Sequence, residues 1–100
     1  MNIIETNIHQ IETLCKTYNV KELFAFGSVL TNDFNETSDI DLIVDFNNIK
    51  LEEYADNYFA LKFALEKIFR RDVDLLEEKG LKNPYFIDNI KTQKRLIYGN

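Results

Sequence analysis

Leu23-Phe24-Ala25-Phe26-Gly27-Ser28, then a ten-residue spacer, then Asp39-Ile40-Asp41-Leu42-Ile43-Val44: this stretch decides the fold. The apolar run ending at Gly27 predicts a strand over residues 20–26 that stops in a tight turn. The second run predicts a strand over residues 39–46 that opens with two acids one residue apart. Side chains alternate across a strand, so Asp39 and Asp41 share a face, roughly 7 Å apart at Cα. Asp39, Asp41, Ile43 and Asp45 then lie on one side, while Ile40, Leu42, Val44 and Phe46 lie on the other and pack on the core. Two carboxylates on one face suit a hard cation such as Mg2+. The Gly27-Ser28 turn offers backbone N–H groups and a hydroxyl, which suit phosphate.

Working outward, apolar residues at Ile4, Ile8, Ile11, Cys15 and Tyr18 predict a helix over residues 3–18. Residues 29–38 read as a polar loop with one helical turn after Ser28. Leu51, Tyr54, Tyr58, Leu61, Leu65 and Ile68 recur every three or four residues and predict a long helix over 51–69. Glu52 and Glu53 near its start and Arg70 and Arg71 after its end complement the helix dipole. Residues 72–76 read as a third strand, interrupted at Gly80. Asn83-Pro84 reads as the N-cap and first-turn proline of a last helix running to about Leu96. The expected order is α-β-β-α-β-α: an α/β fold in which a small mixed sheet packs against helices.

At 100 residues the chain is expected to be a single domain spanning 1–100, and at 45% hydrophobic residues it is globular. No apolar stretch approaches the roughly 18 residues of a membrane span, and no signal-peptide pattern opens the chain. Cys15 is the single cysteine and is read as a small apolar residue; these features favour the cytoplasm. A net charge of −5 argues against direct DNA or RNA binding through bulk electrostatics. It leaves room for a nucleotide held through a metal, and for a homo- or hetero-oligomer.

Phosphoryl-type transfer often uses two ions about 3.5–4 Å apart, which calls for a third carboxylate. The third strand supplies Asp72 and Asp74 on one face. Asp74, bracketed by Val73 and Leu75, is the favoured ligand; Asp72 sits beside Arg70 and Arg71 and is expected to pair with them. A metal site beside a phosphate cradle is what nucleotidyl transfer needs. The candidate site is therefore Asp39, Asp41 and Asp74 as metal-binding and catalytic residues, with Gly27 and Ser28 on the phosphates.

With Gly27-Ser28, the spacer, Asp39-Ile40-Asp41 and Val73-Asp74-Leu75, the chain resembles the minimal nucleotidyltransferases of the DNA polymerase beta-like superfamily. The likeness runs over nearly the whole chain, through the Asn83-Pro84-Tyr85 helix start to Leu96-Ile97-Tyr98. It implies transfer of a nucleoside monophosphate from an NTP, usually ATP, to an acceptor hydroxyl, with Mg2+ held by the aspartates. Asp74 is then placed to coordinate the catalytic metal and help activate the acceptor, and Gly27 and Ser28 hold the triphosphate. Many stand-alone members of this length are antitoxins encoded beside a HEPN ribonuclease toxin, which they neutralise by adenylylating a tyrosine (AMPylation) or by binding.

One departure stands out. Many relatives carry Arg directly after Gly-Ser and an Arg-Gly soon afterwards; here Val29, Leu30, Thr31 and Asn32 occupy the positions. A bidentate phosphate clamp is thereby lost, with Lys21, Lys62, Arg70 and Arg71 as candidate replacements. Two other readings follow: a catalytically weak module that neutralises a toxin by occlusion, and a transferase acting on a small molecule or an RNA end.

Overall fold

The computed structural model describes residues 2–99, and its four strands form one mixed sheet in the order β3-β2-β1-β4. In chain order the elements are α1 (Asn2–Thr6), α2 (Ile8–Thr17), β1 (Val20–Phe26), β2 (Ile40–Phe46), α3 (Leu51–Phe69), β3 (Val73–Glu77), α4 (Pro84–Gln93) and β4 (Arg95–Tyr98). Single 3-10 turns, Gly27–Leu30 and Glu78–Gly80, follow β1 and β3. β1 runs antiparallel to β2 and β4, whereas β2 and β3 are parallel. Parallel neighbours need a long crossover, and α3 provides it.

The expected α/β fold is present, with two differences in the element order. The predicted first helix is two, broken at Asn7, whose side-chain Nδ2 donates to the Ile3 carbonyl at 2.8 Å. An Asn side chain that bonds to nearby backbone competes with helix propagation. The last helix stops at Gln93, not near Leu96, and residues Arg95–Tyr98 form a fourth strand opposite Leu23, Phe24 and Ala25 of β1. The helix start at Asn83 is as predicted: its side chain accepts from the N–H groups of Tyr85 at 2.9 Å and Phe86 at 3.3 Å.

Both faces of the sheet are covered. On one face Ile40, Leu42, Val44 and Phe46 of β2 pack with Ile11 and Cys15 of α2 and with Leu61 and Leu65 of α3. Ile43, on the acid-bearing face, is also fully buried, packed with Phe24 and with Ile90 of α4. That helix covers the middle of a face that carries Asp41 on one side of Ile43 and Asp45 on the other. Leu51, counted into the α3 stripe, is 89% exposed at the helix start, so the buried stripe begins later.

β3 is an edge strand, and α3 seals it. The Tyr58 hydroxyl donates to the Leu75 carbonyl, and the Val73 N–H donates to Glu66 Oε2 at 3.0 Å. In the parallel register the Ile40 N–H donates to the Asp72 carbonyl, so the Val73 and Leu75 backbone groups point outward from the sheet. Among the described residues no helix is long and apolar enough to cross a membrane.

Candidate active site

The C-terminal end of β1 and the N-terminal ends of β2 and β3 meet at one end of the sheet. Phe26 lies opposite Asp41, and Asp41 lies beside Asp74 in the parallel pair. Neighbouring strands are about 4.8 Å apart and in-register side chains share a face, so Asp41 and Asp74 project together. Asp39 stands just before β2 and is exposed, as is Asp74; Asp41 is half-buried.

Gly27 turns the chain beside Asp41. Its φ of +74° lies in the left-handed region, where a side chain is strained. A Cβ there would stand 2.6 Å from Asp41 Oδ2, a second reason for glycine. Ser28 follows in the 3-10 turn, its carbonyl accepting from both the N–H and the hydroxyl of Thr31 at 2.9 Å each. The first N–H groups of such a turn have no partner within it, and they lie next to the carboxylates.

The electrostatics of this end are unbalanced. Burial, then the charges of Asp74 and Asp39, raise the Asp41 carboxyl above its ordinary range. Among the described residues no Lys, Arg or His pairs with Asp39, Asp41 or Asp74. A donor set of clustered carboxylates without a counter-cation is the chemistry that fits Mg2+.

A tighter acid cluster lies elsewhere: carboxylate oxygens of Glu22, Asp45 and Glu78 fall within 4.8 Å of one another. It sits four residues along β2 from Asp41, or about 13 Å by strand rise. Two of its three acids have a lysine partner. Lys79 Nζ is 3.5 Å from Asp45, and Lys94 Nζ is 3.4 Å from Glu78 while also lying 4.0 Å over the Phe24 ring.

The expected cation replacements are placed differently. Lys21 lines a groove with Tyr98 and Gly99, and Arg70 one with Asn7 and Gln10. Asp72 does not pair with Arg71, whose guanidinium instead donates to the Asn35 carbonyl at 2.8 Å and the Ser38 carbonyl at 2.9 Å. Two cations, Lys94 and Arg95, share a cleft with Gly27, alongside Leu30, Thr31 and Gln93, in a space of about 410 Å³. No local signal in the sequence joins residues nearly seventy positions apart; only the pairing of β4 with β1 does. Cys15 is buried, and its thiol is pushed up to about 12, first by burial and then by Glu12, so it takes no part in nucleophilic chemistry.

A glycine turn set against neighbouring strand-end aspartates on a small mixed sheet is the arrangement found at this end of the molecule. The chain belongs to the nucleotidyltransferase domain family, whose model matches residues 8–97, and is a nucleotidyltransferase. It is 37% identical over 81 residues to a provisionally named protein adenylyltransferase of Methanocaldococcus jannaschii, covering 81% of this chain and 78% of that one. It is 31% identical over 77 residues to the protein adenylyltransferase MntA of Thermococcus cleftensis, covering 70% and 68%. In three dimensions it resembles a provisionally assigned minimal nucleotidyltransferase with a TM-score of 0.76 and 26% identity, covering 92% of this chain and 90% of that one. The fold is also that of a toxin-antitoxin structure with AMP-PNP, at a TM-score of 0.72 and 21% identity, covering 94% and 74%. A complex of a tri-AMPylated Shewanella oneidensis HEPN toxin with its MNT antitoxin matches with a TM-score of 0.66 and 19% identity, covering 96% and 72%.

Proposed function

We propose that residues 1–100 act as a single minimal nucleotidyltransferase domain that moves AMP from ATP onto a tyrosine hydroxyl of a HEPN-type ribonuclease toxin, and so serves as its antitoxin in the cytoplasm. The observation that carries this reading is the juxtaposition of Asp41 and Asp74 beside the Gly27 turn, with no cation paired to them among the described residues. Support for the donor comes from the AMP-PNP in a similar structure, and for the acceptor from the AMPylated toxin in another.

Asp39, Asp41 and Asp74 would hold Mg2+, which when bound neutralises the polyphosphate and lowers the pKa of the attacking hydroxyl. The turn at Gly27 and Ser28 directs backbone N–H groups and the hydroxyl at the phosphates, so positioning supplies much of the rate. In the transfer the acceptor oxygen bonds to the α-phosphorus as the bond to the bridging oxygen breaks. Pyrophosphate leaves, and the hydroxyl proton passes to a nearby carboxylate or to water. Half-burial takes the Asp41 carboxylate partly out of bulk water, into surroundings of lower dielectric where its charge acts more strongly.

The test is incubation of the purified protein with the product of an adjacent HEPN gene, Mg2+ and each labelled NTP, followed by intact mass of both. One or more added AMP groups on the partner, lost in Asp39→Ala, establish the activity; a free partner with unchanged mass rejects it. A second reading, neutralisation by occlusion, rests on Val29 and Leu30 standing where an arginine clamp would be. A tight complex with unchanged masses in which Asp39→Ala still neutralises would select it.

A further inference from the structure

Arg71 lies in the short turn between α3 and β3, outside the carboxylate set, yet it is tied to the segment that delivers Asp39. Its Nη1 donates to the carbonyls of Asn35 and Ser38, and its Cζ stands 4.6 Å from the centre of the Phe34 ring. The bound segment is itself a closed turn. The Ser38 N–H donates to the Asn35 carbonyl at 3.1 Å, the Asn35 N–H donates to Ser38 Oγ at 3.1 Å, and the Asn35 side chain accepts from Thr37. Asp39 is thus pinned from both sides by consecutive residues. The carbonyl before it is held by Arg71, and the N–H after it, of Ile40, donates to the Asp72 carbonyl at 3.1 Å.

Resting on the reading above, we infer that Arg71 is a positioning residue: it fixes Asp39 against Asp41 and Asp74 by clamping residues 34–38 to the start of β3. A planar guanidinium serves two carbonyls and an aromatic face together; an ammonium is a single point with a different shape. The two bonds from Nη1 keep the acid outside β2 in step with the two that the sheet aligns. Sheet pairing alone fixes Asp41 and Asp74. Asp39 precedes the strand and is exposed, so loosening the clamp releases it from the other two.

The experiment compares the wild type, Arg71→Ala, Arg71→Lys and Asp41→Asn. The readouts are hydrogen exchange over residues 31–41, Mn2+ binding by electron paramagnetic resonance, and thermal melts. Arg71→Ala is expected to speed exchange in residues 34–39 and to weaken Mn2+ about ten-fold, the range for residues that orient metal ligands. Arg71→Lys falls between it and the wild type. Unchanged Mn2+ affinity in a folded Arg71→Ala overturns the inference, whether or not the loop loosens. Should Arg71→Ala fail to fold, Arg71→Lys decides, and wild-type Mn2+ affinity in it overturns the inference. Failure of the nucleotidyltransferase reading is seen separately: a wild type whose Mn2+ binding is absent, or survives Asp41→Asn, overturns that reading and this inference with it.

Discussion

Two groups of acids occupy the same side of β2, separated by the buried Ile43. One gathers Asp39, Asp41 and Asp74 at the end of the sheet where Gly27 turns; the other gathers Glu22, Asp45 and Glu78 further along. The second is the tighter, and by proximity alone it would be the better cation cage. Yet it carries counter-ions of its own, Lys79 beside Asp45 and Lys94 beside Glu78. The first group lacks such partners among the described residues, and Asp41 shows the cost as a raised pKa. Compactness and charge balance thus rank the two groups differently, and the proposed function rests on the unneutralised one beside the Gly27 turn.

The largest effect that separates the two groups is on transfer itself. Asp41→Ala abolishes nucleotidyl transfer without unfolding the chain, as read by intact-mass assay and circular dichroism. Asp45→Asn, on the same strand face, keeps activity within about two-fold, as expected of a substitution outside the site. Loss of transfer in both would erase the distinction.

Gly27→Ala probes the site from the turn side. A left-handed φ at a non-glycine costs about 1–2 kcal/mol, and the added methyl also meets the Asp41 carboxylate. The expected outcome is a lower melting temperature together with a raised KM for ATP; normal kinetics would show that the turn does not face the phosphates.

Lys94→Met probes the group that carries lysine partners. It strips Glu78 of its counter-ion and leaves the acids of the cluster repelling one another. The melting temperature should fall by about 2–5 °C, and the fall should shrink in an Asp45→Asn background. Additive losses would show that the acids are not coupled.

The smallest effect is on the metal-free protein. A carboxylate with a raised folded pKa holds its proton more tightly in the native state than in the unfolded one, so stability declines as pH climbs from the ordinary 3.8 through the raised value. Asp41→Asn removes that decline. In EDTA near neutral pH it should melt about 1–3 °C higher than the wild type, a gain that saturating Mg2+ would cancel by stabilising only the wild type. An unchanged pH profile would mean that Asp41 is not strained by its neighbours.

Most of the scaffold was readable from sequence because local chemistry dictates it. β1 and α3 have the predicted bounds, since an apolar run into a glycine and a six-residue helical stripe need no distant partner to be recognised. The Asn83 cap was legible for the same reason. β4 was not: four residues after a helix gain their strand only from pairing with β1. Of the candidate site, the sequence shows the spacing of Asp39 and Asp41 and which acid of the third strand is flanked by core residues. It does not show Arg71 reaching back more than thirty positions to Asn35 and Ser38, nor the lysines that neutralise Glu78 and Asp45. Such contacts arise only once the sheet has brought distant segments together.

The side chains that α3 lays over β3 have a consequence for the protein's behaviour under stress. An uncovered strand edge is a template for joining other chains, and Val73–Glu77 is rich in β-compatible aliphatics. Tyr58 and Glu66 occupy that edge, so peeling α3 away both opens the main core and unmasks an adhesive strand. Colloidal stability is thereby linked to one helix: a change that strips Tyr58 and Glu66 from β3 bares backbone groups able to pair with another chain.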